Sequence, residues 1–158
     1  MEQALIALST WLHALATVVM IGYFLLAALI FVPILGQTGP EGPGRWEISE
    51  ISRRSRRWMY LALALFFITG FYLMLVDPNY RGIGDFGNLW AAVMLLKHLL
   101  VLAMLGMGFW YNAIRRVGPM LRSNTGAEEA VTRYRTYTYS MAACGCLILL
   151  LTALAQIE

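Results

Sequence analysis

Four apolar stretches, about residues 4–35, 58–76, 89–114 and 137–157, take up most of this chain. A helix rising 1.5 Å per residue needs about 20 apolar residues to cross a hydrocarbon layer about 30 Å thick. All four stretches are close to that length or longer, and little is left for a soluble domain. Composition agrees: 59% of the residues are hydrophobic and 13% charged, well away from the balance of an ordinary soluble domain. The expectation is an all-α fold, an integral membrane up-down-up-down four-helix bundle forming one transmembrane domain over residues 1–158. The first stretch opens Met1-Glu2-Gln3, without the basic region of a secretory signal, and is expected to be a retained helix.

The connections orient the bundle. Arg45, Arg53, Arg54, Arg56 and Arg57 lie between or beside the first two stretches, and Arg115, Arg116, Arg122, Arg133 and Arg135 between or beside the last two. The middle connection carries only Arg81. By the positive-inside rule both Arg-rich segments are cytoplasmic, so the termini and the middle loop face outward. That predicts a multi-pass protein of a bacterial inner membrane. The net charge of +3 reflects this topology, and nucleic acid is not an expected partner. Within the first connection, "RWEISEISRRSRRW" sets Trp46, Ile48 and Ile51 among charges. It reads either as a short helix lying in the headgroup layer or as a solvated basic loop.

Only two histidines are present, His13 and His98. Each lies nine residues into its stretch, the first and the third, which run in the same direction. Both imidazoles are therefore expected about 13 Å below the outer surface. The two helices would be diagonal neighbours, with axes roughly 11–14 Å apart if adjacent helices pack at 8–10 Å. That gap is wide for one small metal ion and suits two imidazoles approaching a haem iron from opposite faces, with His13 and His98 as axial ligands of haem b. Ionisable groups inside a membrane are expensive and mark function, although a transmembrane histidine also serves simply to hydrogen-bond across helices.

The surrounding residues are less specific. Thr10 and Thr17 flank His13 at i−3 and i+4 and offer a hydroxyl to its ring, but threonines in spans commonly bond their own backbone. Met20 and Met94 share the histidine faces and, with His13 and His98, make a soft ligand set for a copper ion; packing explains methionines equally well. Cys144 and Cys146, two apart on a helix, point about 200° apart and cannot readily chelate one ion. Lys97 lies about 100° round the helix from His98, so it does not share that partner. Its stem can snorkel toward the outer interface, where Asp77, Asp85 or a haem propionate would meet it. Arg81 is the other candidate propionate partner.

The segments "WLHALATVVMIGYFLLAALIFVPIL", "SRRSRRWMYLALALFFITGFYLML" and "LLKHLLVLAMLGMGFWYNAIRR" resemble the copper-resistance D (CopD) family of bacterial membrane proteins. They share a WLH first helix ending in Pro, an Arg-rich entry to a T-G-x-Y-L second helix and a K-x-x-L-V third helix ending in Asn. The resemblance implies a four-helix unit of a family associated with copper handling, with His13, Lys97 and Asn112 at family-like positions. The arrangement is also similar to HemJ-type protoporphyrinogen oxidases, haem-binding membrane proteins with a His in helix one and a Lys in helix three.

No paired carboxylates, hydrolase nucleophile-base set or phosphate loop is present in the sequence, so conventional hydrolytic or nucleotide chemistry is not expected. The sequence predicts a redox or transport component rather than a stand-alone enzyme. The favoured function is haem-based electron transfer; copper passage, or a structural role as one subunit of a larger membrane complex, are the alternatives. The expected partners are membrane lipid and either other subunits or further copies of the chain.

Overall fold

A computed structural model describes residues 1–38, 44–80, 82, 89–111 and 127–155. Among them every regular element is helical: α1 (Glu2–Leu26), a π-helical turn (Ala27–Phe31), α2 (Val32–Thr38), α3 (Gly44–Val76), α4 (Leu89–Phe109) and α5 (Ala127–Leu154). With α1, the π turn and α2 counted as one run, four helices are long and apolar enough to cross a membrane. The π turn has a local cause. Pro33 cannot donate to the carbonyl of Leu29, and its ring crowds that carbonyl, so the turn ahead of it widens instead of breaking the helix.

Two boundaries differ from those expected. The segment around Ile48 and Ile51 is neither a separate surface helix nor a loop, because α3 runs unbroken for 33 residues, about 50 Å. Ile48 enters the interior, packing with Val32, Leu35, Ala130 and Tyr134, whereas Ile51 is exposed. The exposed side of these turns carries Glu50, bonded to both Arg53 and Arg54. The fourth helix starts at Ala127 rather than near Tyr137. Its polar first turns are favoured by Glu128 and Glu129 at the positive end of the helix dipole and by the Arg133–Glu129 pair.

α1 packs along α3, α4 along α5, and α1 also lies against α5, while α3 and α4 barely meet among the described residues. Round the bundle the order is α3, α1, α5, α4, with a seam between the first and the last that is open among the described residues. A second cluster of Phe24, Ala28, Met104, Met141, Ala142 and Ile148 joins α1, α4 and α5. Gly145 lets α5 lie close against α1, since a Cβ there would stand 2.9 Å from Ile21 Cγ2. The exterior is apolar: Val18, Leu29, Ile68, Phe71, Leu102 and Phe109 are 59–73% exposed. Such a surface is far larger than the scattered apolar residues of a soluble monomer.

Candidate functional site

His13 sits where α1 meets α3, half-buried, between residues that the second apolar stretch supplies. Phe66 stacks on its ring, with centroids 4.4 Å apart and planes inclined by 25°. Gly70 lies against the imidazole so closely that a Cβ there would be 2.9 Å from Cε1. Thr69, buried one position earlier, places its hydroxyl 3.0 Å from Nδ1. These three positions follow from helical spacing, since residues three and four apart share a face.

The hydrogen bonds set the tautomer. Thr69 Oγ1 donates its proton to the Leu65 carbonyl at 2.6 Å, so toward the imidazole that oxygen acts as acceptor. His13 Nδ1 therefore carries the ring proton and donates it to Thr69. Nε2 is left with its lone pair. A histidine whose far nitrogen is free while the near one donates to an orienting group has the arrangement of a metal-ligating imidazole.

His98 has different surroundings. It is exposed on α4, and its Nδ1 donates to the Met94 carbonyl one turn back at 2.6 Å. Lys97, the preceding residue, is half-buried, while His98 stands on the exposed face of the same helix.

The remaining candidates separate in the same way. Thr17 donates to the His13 carbonyl at 2.7 Å and Thr10 to the Ile6 carbonyl at 2.9 Å, so both hydroxyls serve their own helix. Met94 is half-buried on α4, and Met20 faces the central cavity. Cys144 is partly buried against the Phe24 cluster and Cys146 is exposed. Arg81, Asp85 and Asn112 lie outside the described residues.

A cavity of about 990 Å³ occupies the middle of the bundle, with walls from all four helices. It begins at Phe66 and Thr17, beside His13, and follows α3 back to Ser49, a rise of about 25 Å. His13 itself stands behind Phe66. Most of the wall is apolar, including the methionines Met20, Met59, Met104 and Met141. The far end is polar, with Arg53 and Arg56 beside Ser52, which shares a 2.9 Å hydrogen bond with Tyr23. Among the described residues no group of three or more His, Cys, Asp or Glu side chains is gathered for a metal ion.

Sequence reasoning missed Phe66, Thr69 and Gly70. The Thr-Gly pair of the second helix was visible as part of a family-like pattern, but nothing in the sequence tied it to a histidine 56 residues earlier. No protein-family model, curated protein or solved structure matches the chain.

Proposed function

We propose that the chain is a multi-pass protein of a bacterial inner membrane that binds b-type haem and passes electrons, with His13 as an axial ligand. One observation carries this reading: the hydrogen bond from His13 Nδ1 to Thr69, which fixes the ring and leaves Nε2 unprotonated. An apolar cavity of haem-accommodating size begins at Phe66, the ring stacked on His13, so that ligation of a haem held there requires this ring to swing aside. Bound there, haem would supply reversible one-electron chemistry. Thr69 orients the ligand imidazole and supports its basicity. The Lys97 ammonium offers a counter-charge for a propionate, and the apolar wall keeps water from the site.

The two-histidine arrangement makes a further demand. His98 would replace Lys97 toward the interior only after α4 turned by about 100°, so the proposal rests on His13. The Arg-rich connections support cytoplasmic placement of that end, with the termini outside and the helices alternating in direction. The apolar exterior suits lipid, a partner subunit or a second copy.

A copper reading draws on a separate observation, the four methionine thioethers lining the cavity, since thioethers suit Cu(I). Titration of the purified protein with haem and, separately, with Cu(I) discriminates the two. The haem reading expects one saturable haem per chain, with binding lost in His13→Ala. Saturable Cu(I) binding that Met20→Leu and Met104→Leu abolish, in a protein that takes up no haem, would replace it.

A further inference from the structure

We infer that the polar end of the central cavity is a binding site for the headgroup of an anionic phospholipid, entering sideways through the seam between α3 and α4. The inference is independent of haem, because it concerns the end of the cavity remote from His13.

Three observations converge there. Tyr134, only 5% exposed, lines the cavity, and its buried hydroxyl makes no hydrogen bond of good geometry among the described residues, with the Ser52 and Thr138 hydroxyls its nearest polar neighbours. A buried phenol left unpaired is unfavourable, and a ligand oxygen would satisfy it. Arg56 lines the same cavity and forms no ion pair among the described residues, unlike Arg53, which is held by Glu50. A guanidinium matches the paired oxygens of a phosphate. Last, among the described residues the side between α3 and α4, which a lipid would use, is open. α3 and α4 barely meet, and apolar residues such as Leu63, Leu105 and Phe109 line the cavity along this seam.

The shape discriminates between occupants. A small anion would use only the polar end and leave the apolar opening between α3 and α4 unfilled. A lipid places its phosphate against Arg56 and Tyr134 and passes its acyl chains out between α3 and α4. Because the unpaired charge is positive, a headgroup of net negative charge is favoured over a zwitterionic one.

The test is native mass spectrometry of the detergent-purified full chain, equilibrated with equimolar phosphatidylglycerol and phosphatidylcholine and, in a separate arm, with inorganic phosphate alone. One phosphatidylglycerol retained in preference to phosphatidylcholine is expected. Arg56→Gln should reduce that preference on the order of tenfold, the effect of losing one charge-assisted hydrogen bond at an exposed arginine. Tyr134→Phe should weaken retention while leaving the lipid-free protein about as heat-stable as the parent, because the hydroxyl it removes makes no hydrogen bond of good geometry among the described residues. Haem-binding variants at His13 should retain the lipid unchanged. Equal retention of the two lipids overturns the inference. So does phosphate alone protecting the protein as well as phosphatidylglycerol does, or Tyr134→Phe destabilising the lipid-free chain with retention intact.

Discussion

Replacing Thr69 with Val keeps the shape of the side chain and removes the oxygen that accepts from His13. Thr69 is 5% exposed, so water does not readily take its place. The Leu65 carbonyl keeps its ordinary helical partner, and the loss falls on the His13 Nδ1–H, which stands 3.0 Å from the missing oxygen. An unsatisfied buried donor costs about 1–3 kcal/mol. His13 is only half-buried, so the lower part of that range applies, about 1–2 kcal/mol. For a chain of this size that corresponds to roughly 2–8 °C in Tm. The same change frees the imidazole to rotate, and loss of an orienting partner typically weakens metal binding about 10–100-fold. Thermal unfolding in detergent and haem titration measure the two effects. Thr69→Ser retains the hydroxyl and should restore both. An orienting role for Thr69 is excluded if Thr69→Val and Thr69→Ser behave alike, or if Thr69→Val matches the parent in both measurements.

Gly70→Ala should separate stability from binding. Its Cβ would stand 2.9 Å from His13 Cε1 and push the ring off its position, while alanine contributes about 1 kcal/mol of helix propensity over glycine; near-parental Tm with weakened haem binding is expected in the same titration. Phe66→Ala removes the ring stacked at 4.4 Å, at a cost of about 1 kcal/mol, and joins His13 to the cavity; stopped-flow mixing should show faster haem uptake. At the α1–α5 contact, Gly145→Ala sets a methyl 2.9 Å from the Ile21 Cγ2, and such overpacking costs about 1–3 kcal/mol, so Tm should fall. Gly22→Ala and Gly106→Ala, where the added Cβ meets nothing within 4 Å, should instead leave Tm unchanged or raise it.

The helices were legible because apolar length is written directly along the chain. Their polar extensions were less so: the first turns of α3 and α5 are charged, and only packing of Ile48, Ala130 and Tyr134 against α2 reveals that they belong to the bundle. The rotation of α4 was hidden for the opposite reason. Its 21 residues are apolar nearly all round, so no polar stripe marks the outward face, and Lys97 and His98 could not be assigned to their sides. His13 was found by its residue type and depth. Its partners were not, because Phe66, Thr69 and Gly70 come from another helix and the pairing depends on how α1 lies on α3. The hydroxyls sought nearby, Thr10 and Thr17, were already committed to backbone carbonyls of α1.

The central claim is that His13, oriented by Thr69, ligates haem. It is tested most directly by the reduced-minus-oxidised optical spectrum of the purified protein and its two histidine variants. Expected are the α-band of a b-type haem in the parent, its loss in His13→Ala and its persistence in His98→Ala, whose imidazole lies on the exposed face of α4. A parent protein without that band, or a band that survives His13→Ala, would contradict it.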